Sequence, residues 1–454
     1  MADANVDVII VGGGVAGLAA ADMLSAEGKS VVLLEGRPRL GGRIETRHDP
    51  AWPLPIERGA EFIHGKPMET WEIVQAGACS LYNVTNEHWV YEQGKLRKPK
   101  GFFEDLEKVM ERVKKGAWKG KEDMSFEEFM AEKGGRGIGA EAKRRAKMFV
   151  EGFNAADARE VSARWLADAQ KASEEIDGDK LFRVYAGYDR IVQFLKSGLG
   201  NDVQVELSTT VKKISWTKER VIVETVGSEG SELAHTPGVY MARKVLITVP
   251  LGVLQAKEGP GVIAFDPPLP AEKVEAIGQM RMGSVVKVVM RFREAFWEEH
   301  VPEMDFVHAP GVGGKGEEAG FPTWWTTLPI RTGVLTGWAG GPAAERLTGK
   351  STDRILSIAI KELARVLEMG PRGKSAIEKQ LLGAHVCDWK SEPLSRGAYS
   401  YAAVGGADAW RELSRPVEGS LYFAGEATYG GMSGTVAGAI ASGRRAAREA
   451  MRGS

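Results

Sequence analysis

Three glycines at Gly12, Gly14 and Gly17, followed by an acid at Glu35, form the first arrangement in the chain able to do chemistry. In a dinucleotide site, Gly12 permits a tight turn, Gly14 lets the backbone approach a pyrophosphate, and Gly17 lets a helix pack against a strand. The helix N-terminus offers free N–H groups and a partial positive charge to the phosphates. Glu35, about twenty residues on, stands where an acid would accept hydrogen bonds from ribose hydroxyls. Such a glycine triplet alone is only a turn, so its flanks decide. Residues 6–11 (VDVIIV) read as a strand buried on both faces. Gly17 to Ala26 is rich in alanine and leucine and reads as a helix, closed by Gly28. Residues 30–34 (SVVLL) form a second strand ending at Glu35, which completes a β-α-β unit.

Lys287 is the second candidate. In SVVKVVMRF, alternation puts Val285, Lys287 and Val289 on one face of a strand and Val286, Val288 and Met290 on the other. A lysine among valines is costly to bury, so it is either exposed or kept for chemistry.

Two further strings are dense in glycine or arginine. Arg39-Leu40-Gly41-Gly42-Arg43 follows the Glu35 strand and suits close contact with phosphate. Residues 421–443 (LYFAGEATYGGMSGTVAGAIASG) read as a strand ending at Gly425-Glu426, a glycine-rich loop, and a helix from about Gly434. Gly434, Gly438 and Ser442 would give that helix one small face for close packing. Two other strings imitate nucleotide motifs. The segment 311–316 is glycine-rich but lacks a feeding strand and a leaving helix. Thr348-Gly349-Lys350-Ser351 resembles the end of a phosphate-binding loop, but Ala344 stands where its first glycine belongs.

Together these strings resemble the signatures of the FAD-dependent amine oxidases: monoamine oxidases, polyamine oxidases and flavin histone demethylases. The likeness covers essentially the whole chain, through the first 65 residues, the strand at 284–292, and 385–445, and it is closest to polyamine oxidases. It implies an α/β protein in which a Rossmann-type FAD-binding domain (1–65, 180–262, 388–454) is interleaved with an α+β substrate domain (66–179, 263–387). By resemblance, FAD contacts come from Gly42, Arg43, Val211, Gly425, Glu426, Thr435 and Val436, besides the glycines and Glu35 above. Lys287 matches the lysine that holds a water beneath flavin N5, and is expected to support flavin reoxidation or the hydride step. Trp389 matches a tryptophan packed on the flavin ring, and Tyr399 one wall of an aromatic cage suited to an amine. The opposite wall, a tyrosine in monoamine oxidases, is Thr435 here. Ala398 replaces their flavin-linked cysteine, so non-covalent FAD is expected. Gly59-Ala60-Glu61-Phe62-Ile63-His64-Gly65 resembles the segment whose histidine orients the amine in animal polyamine oxidases. Glu61 is a candidate to attract a distal ammonium, and Trp324 is a weaker substrate candidate.

Composition narrows the alternatives. The 454 residues carry 60 lysines and arginines against 61 acids, so no global field favours nucleic acid or an anionic membrane. A basic stretch from Lys95 to Lys121, interleaved with Phe102, Phe103 and Trp118, reads better as a solvated helical face than as a nucleic-acid site. Two cysteines, Cys79 and Cys387, exclude a disulfide framework but leave a single bridge open. No metal-ligating pattern stands out. No leader sequence precedes Val6 and no run reaches membrane-spanning length, so the expectation is a cytoplasmic protein. The expected partners are a small amine and oxygen. Rival readings are an L-amino-acid oxidase, with Arg183, Arg190 or Arg331 as a carboxylate clamp, an FAD-dependent desaturase, and a non-catalytic flavin-bearing interaction protein.

Overall fold

The computed structural model describes residues 5–85, 87–99, 101–116, 122–132, 134–227, 238–310 and 320–452; the glycine-rich segment 311–316 and Trp118 lie outside them. Two large sheets organise the molecule. In the first, Val203–Glu206, Val31–Leu34, Asn5–Val11 and Val239–Ile247 run parallel in that order, and Leu421–Phe423 joins the last of them in parallel. Val239–Ile247 also opens an antiparallel meander through Val221–Gly227 to Thr209–Trp216. The strand Asn5–Val11 is apolar on both sides because both sides are covered. Val8 and Ile10 pack with Leu18, Ile191 and Ile440, and Ile9 and Val11 pack with Val211, Val245 and Phe423.

The helix Val15–Ala26 follows its strand directly and packs on the C-terminal helix Val436–Arg452. That second helix starts two residues later than its sequence suggests, so Gly434 lies ahead of it. Its closest approach is made by Gly443, where an added Cβ would stand 2.1 Å from the Ala16 carbonyl oxygen. Gly443→Ala is therefore expected to push the helices apart and lower stability by about 1–3 kcal/mol, as overpacking does. A denaturant midpoint equal to the parent's would show that this contact yields freely.

The second sheet has seven strands, in the order Leu381–Asp388, Val285–Phe292, Val334–Gly340, Thr323–Trp325, Phe306–His308, His88–Glu92 and Lys95–Arg97. Val286, Val288 and Met290 face a core shared with the helix Thr352–Val366. Val285, Lys287 and Val289 face the other way: Val285 packs with Trp389, and Val289 with Ile56. Thr348–Ser351 serves this half of the molecule as a helix start, with Ser351 Oγ accepting the Arg354 N–H and capping Thr352–Val366. Between the large sheets, Phe62–His64 pairs with Leu181–Val184, and Met280–Gly283 with Tyr399–Ala402. These short pairings carry the residues of the site. Among the described residues, no helix is long and apolar enough to cross a membrane.

Candidate active site

The nucleotide end is built from the first β-α-β unit. Gly12 has φ +112° and packs on Thr248, while a Cβ on Gly17 would stand 2.0 Å from the Gly12 carbonyl oxygen. A Cβ on Gly14 would meet nothing within 4 Å, so the turn is bare backbone where the family motif approaches phosphate. Glu35 is buried, accepting the Gly13 N–H at 2.7 Å and the Arg37 N–H at 2.8 Å. Burial raises its carboxyl above the ordinary range against the pull of Arg37. Val211 is buried on Thr209–Trp216, whose first residue donates its N–H to the Glu35 carbonyl. Bare glycine backbone, a helix start and a terminal acid fit a dinucleotide.

The second half of this site comes from the other end of the chain. Arg43 Nη1 donates to the Ala398 carbonyl at 2.7 Å and to Glu426 Oε1 at 2.8 Å. Glu426 Oε2 accepts from the Ser400 hydroxyl and from the N–H groups of Ser400 and Gly434. One buried carboxylate thus ties three segments together beside the glycine turn, and Gly42 packs on Gly14 within the same corner. Gly425 has φ +123°, and its N–H donates to Ser442. Thr435 caps Val436–Arg452 by accepting the Gly438 N–H, and it is exposed while Val436 is half-buried.

Lys287 lies at the centre, between Trp338 and Cys387 on the neighbouring strands. Its side chain is 1% exposed, and Nζ donates to Glu61 Oε2 at 2.7 Å and lies 3.4 Å from the Gly59 carbonyl oxygen. Glu61 Oε1 accepts from Arg183 Nε at 3.1 Å and Trp325 Nε1 at 3.0 Å. Burial would raise the Glu61 carboxyl, but Lys287 and Arg183 outweigh it and hold the group below its ordinary value. Both oxygens accept from these donors, and the Glu61 side chain keeps 12% of its surface exposed. Trp389 donates to the Arg58 carbonyl and packs with Val285 and Tyr399.

His64 and Tyr399 meet at Phe153, the last residue of the helix Ala140–Phe153. The Tyr399 hydroxyl donates to the Phe153 carbonyl at 2.7 Å, and the His64 ring stands edge-on to the Phe153 ring at 5.4 Å. Tyr399 also lies against Gly434, beside Thr435. Burial raises the Tyr399 phenol and lowers His64 to about 4, so both groups are neutral at physiological pH. The unfolded chain protonates His64 near its ordinary 6.5, above the folded value. This histidine therefore adds stability as pH rises from about 4 to 6.5 and nothing beyond. His64→Asn is expected to flatten part of the rise in stability between pH 4 and 6.5, read as the denaturant midpoint, and to leave stability above pH 6.5 without this pH dependence. A pH dependence of stability between 4 and 6.5 that is the same in the parent and in His64→Asn would contradict a neutral histidine.

The structure moves one sequence candidate out of the site and brings others in. Trp324 is fully buried against Val288 and Phe321 in the core of the second sheet, because alternation along Thr323–Trp325 points it away from Lys287. Trp325 faces Glu61 instead, with its ring 5.7 Å from that of Trp338. Trp325, Trp338 and Phe153 were not picked out by sequence, where the only signal was the adjacent tryptophan pair. Arg183 donates to Glu61 and to the carbonyls of Thr326 and Leu328, and Arg190 and Arg331 are engaged at the surface. These three arginines do not assemble a carboxylate clamp. Cys79 and Cys387 are both free.

Comparison with known proteins identifies the family and the fold. The family model described as flavin containing amine oxidoreductase matches residues 15–451. Polyamine oxidase 2 of Arabidopsis thaliana is 27% identical over 470 residues, covering 97% of this chain and 87% of that protein. Lysine-specific histone demethylase 2 of Homo sapiens is 27% identical over 479 residues, and the match spans 98% of this chain but 53% of the demethylase. A solved wild-type putrescine oxidase bound to putrescine shares the fold, with a TM-score of 0.79, 21% identity and 99% coverage of both chains.

Proposed function

The chain belongs to the flavin containing amine oxidoreductases, and on that premise we propose that it oxidises the C–N bond of a polyamine or another secondary or primary amine. The products of this reading are an imine, hydrolysed by water to an aldehyde and a shortened amine, and hydrogen peroxide from oxygen. FAD, held without a covalent bond, supplies when bound the two-electron acceptor for the amine's α-C–H and passes those electrons to oxygen. The observation that carries the reading is the buried Lys287–Glu61 pair, on a strand face whose Val285 packs with Trp389 and Tyr399.

Each residue has a task within this reading. Arg43, Glu426 and the two glycine turns bind the cofactor. Tyr399, Phe153 and Trp338 give the amine an electron-rich wall. His64, being neutral, offers a ring nitrogen to the amine nitrogen and orients it without opposing a cationic substrate. Lys287 Nζ holds a proton beside the reacting centre, and Glu61 keeps that nitrogen in place.

Anaerobic flavin bleaching tests the substrate class, with spermine, spermidine, their acetylated forms, benzylamine and several amino acids. Rapid bleaching by a polyamine supports the proposal. Bleaching by amino acids alone replaces it with an amino-acid oxidase, and no bleaching with FAD bound favours a desaturase or a non-catalytic flavoprotein.

A further inference from the structure

Glu61 faces two compartments. One is Lys287. The other is a cleft bordered also by Trp52, Ile56, Glu57, Tyr82, Tyr185 and Thr336. The Glu61 side chain is 12% exposed against 1% for Lys287, so Glu61 stands between the lysine and the cleft. A second carboxyl borders the same space. Glu57 accepts the Tyr188 N–H and the Thr46 hydroxyl, each at 2.7 Å.

We propose that this cleft is the proton route between solvent and Lys287, with Glu57 exchanging protons with solvent and Glu61 relaying them to Nζ. The inference rests on the oxidase reading above. Oxidising an amine to an imine releases two electrons and two protons, and reducing oxygen to hydrogen peroxide takes up two of each. The two halves are separated in time, and a hydride carries one of those protons with both electrons, so one proton leaves with the imine and one must be supplied when oxygen is reduced. In each relay step one N–H or O–H bond breaks and one forms. Nζ gives its proton to the reduced oxygen, the ionised Glu61 takes a proton from Glu57 through cleft water and passes it to Nζ, and solvent restores Glu57. The enclosed space of the cleft, about 40 Å³, has room for a few waters at roughly 10–15 Å³ each.

The charges facing the cleft support the assignment. Burial pushes Glu57 up to about 7, with Glu61 adding to the rise and Lys287 opposing it. Glu61 is held low by Lys287 and Arg183 against its burial. Burial pushes Tyr82 up to about 12 and also raises Tyr188, so neither phenol ionises near neutrality. Two neighbouring carboxyls pushed in opposite directions are the arrangement that separates a proton donor from an acceptor.

The test reduces the holoenzyme with dithionite, mixes it with oxygen, and follows reoxidation as a function of pH. The rate is expected to fall as pH rises through about 7, where Glu57 loses its proton. Glu57→Gln, which keeps an acceptor for Tyr188 and a partner for Thr46, should be slower by about a hundredfold at low pH and independent of pH. Glu57→Asp should restore most of the rate and the pH dependence. In infrared spectra of the oxidised holoenzyme, a carboxyl carbonyl band with a midpoint near 7 should be present in the parent and absent from Glu57→Gln. Parent-like reoxidation in Glu57→Gln, or survival of that band, would overturn the proposal. Because dithionite supplies the electrons, these outcomes do not depend on which amine, if any, bleaches the flavin.

Discussion

Lys287→Met is expected to retain FAD and to slow one half-reaction by about 10²–10⁴, the range of a lost proton-transfer group. The side chain is almost wholly buried and its hydrogen bonds run to Glu61 and the Gly59 carbonyl, so the Arg43–Glu426 corner should stay intact. Methionine fills a similar volume between Trp338 and Cys387. Removing one member of a buried ion pair often costs about 3–5 kcal/mol because a charge is left uncompensated. Here Glu61 keeps Arg183 and Trp325 as donors, so the cost should fall below that range. Stopped-flow measurement of reduction by amine and reoxidation by oxygen separates the halves. Turnover at the parent rate in both would remove Lys287 from the chemistry.

Glu426→Ala should have the largest effect on the cofactor. It deletes the acceptor shared by Arg43, the Ser400 hydroxyl and two backbone N–H groups, and leaves those donors facing one another at the corner of three segments. Hydrogen bonds to a charged group contribute about 1.5–3 kcal/mol each, so FAD affinity should fall by at least about a hundredfold. The purified protein should carry little flavin, and its thermal transition should rise when FAD is added in excess. Arg43→Met should lose flavin to a smaller degree, because Glu426 would keep its Ser400 and Gly434 partners. A Glu426→Ala protein that emerges from gel filtration fully yellow, with the parent's affinity, would show that the clasp does not serve the cofactor.

Much of the site was legible because its signals are local. The strand, glycine turn and helix of residues 5–26 are set by apolar runs and backbone freedom within one short segment, and their boundaries agree with the sequence to within two residues. The same holds for the 421–452 string, apart from a helix that begins at Val436 rather than near Gly434. There the sequence showed small residues but not which one meets Ala16, since that depends on how two helices cross. Alternation correctly divided Val285–Phe292 into two faces. It could not tell which tryptophan of Trp324-Trp325 turns toward the lysine, because a shift of one residue inverts both assignments.

What the chain determines by itself is therefore the dinucleotide corner, the unusual lysine in its strand, and the family likeness carried by those strings. Tertiary structure alone decided the partners. Lys287 and Glu61 are 226 residues apart, and Arg43 and Glu426 are 383 apart. Glu61 read as a free acid until the fold placed Arg183, Trp325 and Lys287 around it, and Glu57 drew no notice until burial raised it toward neutral pH. Propensity and periodicity act over a few residues. The charge state of a buried carboxyl is set by groups that only strand register and domain packing bring near it.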